Sequence, residues 1–526
     1  MIKNRIRKCL PWLMLAVCYL FTVGVYALYG AHNMDSDVAS EMVLADLLNR
    51  EGALLSENWY YSTELRTVSP VPLYQLALRL FPGSWHAARV FSLAVLLAGV
   101  AAAVIYMARG ARMEEGAVYA AAAVLVPLGE VHRFLFSHGG FYTVYVILGA
   151  LLAGLVLRMG ASWRRERLAL LAVLGLWGGL AGVRMPMIAG VPLCMACLLA
   201  AGERAVKEKS LRALGHTAQG RMLLASGVML AAMFAGFLVN SCVYAKVYHY
   251  EQHLDTALNM PSLALLVQQA GYLAGFFGGP EQLSMGISLS ALVSLGMLAV
   301  TVVMAVSAAT LLILRRSLRA GERAFVYFAL CAVMLGMLVN VLMGKTDNPY
   351  AVGYYMLGAF SLAVLPFMAA KHLARVRAWL PGAAMALLCA AFLLKGVVFA
   401  RNHIRTETSA HEEAAAWLLE NGYDTGYASF WNGNVLTEAA NGGVDMYVYS
   451  GWQDETLYPW LQKTAHGDAL LEGPVFVFVS GEEYYGKHVP AAKEAHLAWT
   501  SERWGSRIYV YEDAAQVDAL QRAQGN

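Results

Sequence analysis

The sequence predicts an all-α polytopic membrane domain, residues 1–400, followed by a C-terminal extracytoplasmic α/β domain, residues 401–526. Three observations predict it. The chain is 59% hydrophobic and 14% charged, where soluble domains run at roughly 25% charged. Apolar runs of about 20 residues, long enough to cross a bilayer, recur through the first 400 residues. After Arg401 they stop, and short β-like runs alternate with helical patterns, as in a small α/β unit.

The spans can be justified in order. Lys3, Arg5, Arg7 and Lys8 precede an apolar run from Leu10 to Gly30. That run exceeds the 7–15 apolar residues usual in a signal peptide, so it reads as an uncleaved first helix with its N-terminus inside. Later runs lie near 90–108, 116–129, 139–157, 168–183, 186–201, 222–243, 286–314, 324–343, 350–370 and 380–400, about eleven spans in all by hydropathy. Basic clusters fall in alternate connections: Arg109 and Arg112; Arg158 to Arg167; Arg204 to Arg212; Arg315 to Arg323; Lys371 to Arg377. By the positive-inside rule these connections are cytoplasmic. The opposite face then holds the 31–89 loop, the His132–His138 turn, Arg184, the 244–285 loop, the Lys345–Tyr350 loop and the tail; the plasma membrane is the expected location. The least regular stretch is 168–201, where Arg184 and Pro186 interrupt the run; it reads as two short spans or one broken hairpin.

Pro261–Phe277 is apolar but short, and reads as an interfacial or re-entrant helix ended by Gly278-Gly279-Pro280. The seven cysteines all lie in or beside apolar runs, so no disulfide framework is expected. In the tail, Glu412–Asn421 reads as a helix stopped at Gly422. Thr425–Trp431, Asp445–Tyr449, Pro474–Ser480 and Arg507–Tyr511 read as strands.

The chemistry concentrates in the 31–89 loop. Asp35 and Asp37 directly follow the first span and open a helical pattern. Aspartates cap a helix N-terminus, which accounts for one better than for two. Residues i and i+2 do not face each other on a helix, so the two carboxylates converge only if Asp35 lies in the non-helical cap. There they could take a proton from an acceptor hydroxyl or hold a divalent cation. Arg66, Arg89, Arg133, Arg184 and Lys345 stand near outer boundaries, against the positive-inside trend. Arginine suits bidentate phosphate binding; snorkelling to lipid head groups is the alternative for each. Glu64, Glu130 and Asp347 stand beside them. Trp59, Tyr60, Tyr61 and Trp85, with Tyr350, Tyr354 and Tyr355, supply aromatic faces for a sugar ring or for the interfacial belt; Trp431, flanked by amide side chains, reads as a carbohydrate contact or as an ordinary turn after a strand. His132 and His138 lack an evident third ligand for zinc.

A first helix ending in acidic residues, a long outer loop with a surface helix, the element Pro70-Val71-Pro72-Leu73-Tyr74 and Arg89 before the second helix resemble the GT-C superfamily. These are integral membrane glycosyltransferases such as the protein O-mannosyltransferases and the aminoarabinose transferases. The resemblance covers roughly the first 200 residues and the overall plan. It implies catalysis by Asp35 or Asp37, and it matches Tyr74 and Arg89 to family elements; the residues themselves point Glu64, Arg66, Arg133, Arg184, Lys345, Tyr354 and Trp59 toward substrate, with Arg66, Arg184 or Lys345 stabilising the leaving lipid phosphate. It also implies a polyprenyl-phosphate-linked sugar as donor, and a glycan, lipid or protein as acceptor on the outer face. A metal at Asp35 and Asp37 is left open, since only Glu130 is acidic in the second outer loop. Membrane lipids are expected partners and nucleic acid is not. The rival readings are a lipid-linked-glycan flippase and a non-catalytic envelope assembly protein.

Overall fold

The computed structural model describes residues 2–138, 140–210, 212–250, 260–280, 288–344, 349–373, 379–449, 458–468, 471, 473–481, 483 and 495–517. Among these, nine helices are long and apolar enough to cross a membrane. A bent pair, Gly116–Leu125 with Glu130–Ser137, makes a tenth if counted as one span.

Two expected spans are altered, and each for a physical reason. The run at 116–129 does not continue straight. Its helix ends at Leu125, Pro127 and Gly129 follow, and the second piece turns through 102°. Proline and glycine cannot sustain the helical ladder here. The second piece finishes as a π-helix, Arg133–Ser137. The run at 168–183 forms a helix, Arg165–Leu180, of only 16 residues. At 1.5 Å per residue that is about 24 Å, short of a hydrocarbon core of about 30 Å. It is held by close packing on Ala218–Cys242. A Cβ on Gly179 would lie 1.9 Å from the Met233 carbonyl oxygen, and one on Gly236 would lie 2.2 Å from that of Leu176. Small residues permit this backbone approach. The segment expected to be interfacial or re-entrant is a 14-residue helix, Leu263–Phe276.

The basic clusters gather at one end of the bundle. Arg315 and Arg323 both pair with Glu203, at 3.1 and 3.2 Å. Lys371 donates to the Arg112 carbonyl at 3.2 Å and pairs with Glu322 at 3.4 Å. The 31–89 loop and the tail share the other end.

The described strands are β1 (Trp59–Tyr60), β2 (Thr425–Ser429), β3 (Asp445–Tyr449), β4 (Gln462–Lys463), β5 (Val475–Val479), β6 (Leu497–Thr500) and β7 (Arg507–Tyr511). Five of them form the tail sheet in the order β3-β2-β5-β7-β6. β2 runs parallel to β3 and β5; β7 is antiparallel to β5 and β6. Alternation along the strands makes two cores. Ala428, Met446, Phe476 and Ile508 meet the helices Ala410–Glu420 and Phe430–Ala439 on one face; Tyr427, Tyr447, Val477 and Tyr509 fill the other. The sequence reading carried the first strand to Trp431, but it ends at Ser429 and Trp431 belongs to the following helix. β6 escaped that reading because its residues are mostly exposed.

The tail is joined to the first loop at several places. β1 pairs antiparallel with β4. The surface helix Ser36–Glu51 lies against Phe430–Ala439, where the Ser36 hydroxyl donates to the Phe430 carbonyl. Arg89 forms a two-bond ion pair with Glu438, at 2.6 and 2.7 Å, with Arg89 fully buried. The loop's apolar core closes around tail residues Phe430, Val448 and Leu461.

Candidate active site

Asp35 is the N-cap of Ser36–Glu51. Its backbone is extended (φ −120°, ψ 148°), and its side chain accepts from the Asp37 amide at 2.9 Å. This is the non-helical cap that lets both carboxylates face one space. One turn further along the helix is Glu41, only 2% exposed. Neither of its carboxylate oxygens has a hydrogen-bond partner.

Burial sets the protonation of this row. Desolvation raises the Asp35 carboxyl, while the Asp37 amide opposes the rise. Asp37 is pushed up to about 6, first by burial and then by the Asp35 charge, with Arg66 opposing. Glu41 is pushed up to about 7 by burial, with Arg66 and Arg89 opposing. A raised carboxyl favours the folded state most when protonated, so that stabilisation is full below the unfolded value and is lost as pH rises through the folded one. For Glu41 the move from 4.5 to about 7 corresponds to about 3 kcal/mol. Glu41→Gln should therefore match the wild type in thermal stability near pH 4, and exceed it at pH 8. Unfolding scans at the two pH values check this; equal stability at both would refute it.

Two cavities open on these residues. The loop cavity, about 620 Å³, is lined by Asp35, Asp37, Glu41, Ser62, Thr63, Glu64, Arg66, Phe141, Tyr142, Arg184, Tyr350, Trp431 and Trp460, among others. The helix cavity, about 720 Å³, lies beside the membrane helices and includes Asn33, Asp35, Glu130, Arg133, Gly278, Ser294, Lys395, His403, Arg405 and His411. Asp35 lines both.

Lys395 lies inside the span Leu380–His403, 9% exposed, and its ammonium donates to the Ser294 hydroxyl at 3.0 Å. Its place beside Gly278 depends on that residue having no side chain. Gly278 has φ +78°, and a Cβ there would come within 2.8 Å of the lysine stem. The Gly-Gly-Pro step thus ends a helix and also makes room for a charge. Arg133 projects from the bent segment, paired with Glu130 and donating to the Asn33 carbonyl at 3.4 Å. A helix bend and a π-turn, which cost regular hydrogen bonding, place it there.

The remaining sequence-expected residues divide clearly. Arg184 is ion-paired with Glu64, whose other oxygen accepts from the Tyr145 hydroxyl at 3.0 Å. The Arg184 guanidinium also lies over the Tyr354 ring, 5.2 Å from its centroid. Arg66 sits over Phe141 at 4.1 Å. Glu64, Arg66 and Arg184 thus line the loop cavity with Asp35 and Asp37, and Tyr354 backs Arg184. Trp59, Tyr74 and Arg89 line neither cavity; all three are fully buried, Trp59 in β1 and Tyr74 under Arg89 at 5.0 Å. Lys345 and Asp347 lie outside the described residues.

Sequence reasoning missed Glu41, Lys395 and Trp460. A lysine within an apolar span is a recognisable signal, because such charges are costly and seldom idle. Glu41 had none, since one acidic residue on a surface helix looks solvated. Among the described residues no group of three or more His, Cys, Asp or Glu is arranged to hold a metal ion. Asp35 and Asp37 alone make an incomplete donor set for a divalent cation.

No protein-family profile matches the chain, and no curated relative matches it in sequence. Its fold does have counterparts. ArnT from Cupriavidus metallidurans, solved bound to undecaprenyl phosphate, aligns over 95% of this chain and 97% of that one, with a TM-score of 0.53 and 11% identity. The Archaeoglobus fulgidus oligosaccharyltransferase tethered with an acceptor peptide aligns over 91% of this chain and 70% of that one, with a TM-score of 0.50 and 12% identity. The chain has a GT-C-like fold.

Proposed function

We propose that this GT-C-like protein is a membrane glycosyltransferase that moves a sugar from a polyprenyl phosphate to an acceptor hydroxyl. One observation carries the reading: Asp35 stands where two cavities of different character meet. The helix cavity adjoins membrane helices and bears Lys395 and Arg133, which suits a lipid-borne phosphate. The loop cavity is polar-floored and aromatic-rimmed, which suits the acceptor. The polyprenyl phosphate that accompanies the ArnT structure supports assigning a lipid-phosphate donor.

In the step proposed, the acceptor oxygen attacks the sugar's anomeric carbon. The C–O bond to phosphate breaks, and polyprenyl phosphate leaves with the electron pair. Asp35 takes the acceptor proton. Lys395 and Arg133 stabilise charge gathering on the leaving phosphate. The sequence had pointed to Arg66, Arg184 and Lys345 for that task. Arg66 and Arg184 line the loop cavity instead, on the acceptor side, where Arg184 is held by Glu64. We place the site on the outer face, with residues 401–526 as an extracytoplasmic unit.

The deciding experiment uses purified protein in nanodiscs with radiolabelled undecaprenyl-phosphate sugars. Release of polyprenyl phosphate with label on an acceptor or water supports the reading. Label that crosses the bilayer with its sugar–phosphate bond intact favours the flippase, and an inert donor refutes both. Lys395→Gln should lower kcat/KM for the donor by about 10²-fold, with Lys395→Arg recovering part. Equal rates in all three would remove Lys395 from the site.

A further inference from the structure

Building on the glycosyltransferase reading, we infer that the acceptor taken by the loop cavity is a carbohydrate, held between Trp431 and Trp460 with a hydroxyl bonded to Glu41. The first support is Glu41 itself. A carboxyl 2% exposed, with both oxygens unbonded, is costly to bury. It lines the cavity, so a ligand hydroxyl entering there can supply the missing hydrogen bond, whether the carboxyl is charged or neutral.

The second support is the rim. Trp431 is 62% exposed, although its neighbour Phe430 is buried. Edge contact with Phe430, at 5.1 Å between centroids, orients the indole. Trp460 lines the same cavity and is stacked on Tyr458 at 5.9 Å. A sugar ring has an apolar C–H face and a polar edge. Two oriented indoles offer the face its partner, while Ser62, Thr63, Glu41 and Arg66 offer hydrogen bonds to the edge.

Other acceptors fit less well. A peptide held by strand addition needs an open strand edge, but β1 is paired with β4 on one side and bridged to His249 on the other. A hydrocarbon chain would strip water from Asp37, Glu41 and Arg66 and return no hydrogen bonds.

The test is binding, measured without donor, so that it can succeed or fail separately from transfer. Purified protein in nanodiscs is mixed with soluble trisaccharides of glucose, galactose, mannose and N-acetylglucosamine, and separately with a serine-containing peptide. Saturation-transfer NMR reports contact and calorimetry reports Kd. At least one saccharide series should bind through its ring C–H groups. Trp431→Ala and Glu41→Gln should each raise Kd about tenfold, and Trp431→Phe should raise it less. No saccharide binding, binding indifferent to all three substitutions, or binding of the peptide alone overturns the proposal. If saccharide binds but labelled donor stays intact under all conditions, the glycosyltransferase reading fails while the carbohydrate site stands.

Discussion

Asp35→Asn should slow sugar transfer by about 10²–10⁴-fold, the usual cost of losing a positioned base, while leaving the fold intact. The substitution separates chemistry from structure because asparagine caps a helix about as well as aspartate. The side-chain oxygen that accepts from the Asp37 amide is retained; the basicity is not. Asp37→Asn should cost less, since Asp37 lies within the helix and lines only the loop cavity. Its raised carboxyl adds a pH signature. Wild-type transfer should decline as pH falls through about 6, where Asp37 takes up its proton, and Asp37→Asn should flatten that limb. Single-turnover rates across pH, with unfolding scans beside them, check both. If neither substitution slows transfer but both lower the melting temperature, the pair is a helix cap and no more.

Glu438→Ala should destabilise the protein by about 3–5 kcal/mol, the cost of leaving a buried charge without its partner. The fully buried Arg89 guanidinium would keep the Val38 carbonyl, at 3.2 Å, and the face of Tyr74. Replacing both partners, as Arg89→Met with Glu438→Leu, should restore much of the loss, because two apolar groups of similar volume need no compensation. Arg89→Lys should not substitute, since one ammonium cannot make the two parallel bonds. Thermal unfolding of the single and double variants reads this directly. A double variant no better than Glu438→Ala would mean that the contact matters through shape, not charge.

The case of Arg89 also shows where sequence reasoning stops. An arginine ahead of the second span looks like a phosphate ligand, and its partner is 349 positions away. No local pattern announces such a pairing. The spans were legible because hydropathy is a local sum, and β2, β3, β5 and β7 because alternation is local too. Asp35 as an extended cap was legible from the i, i+2 spacing alone. The broken helix at 126–129 was less so: Pro127 and Gly129 were visible, but composition does not state the angle of a bend. Glu41 and Trp460 became site residues only when the tail closed over the first loop.

That closure has a consequence for biosynthesis. The first loop emerges well before its fixed points, Glu438 for Arg89 and β4 for β1. At about 5–20 residues per second, a separation of 349 residues means a wait of roughly 20–70 s. Through that interval Arg89 lacks its counter-charge and the loop's apolar core lacks its lid. The nascent protein should therefore hold an aggregation-prone loop until Glu438 and β4 have been made. A chain truncated before Glu438 should never acquire a finished catalytic centre, and should be cleared by quality control instead of persisting as an unregulated transferase.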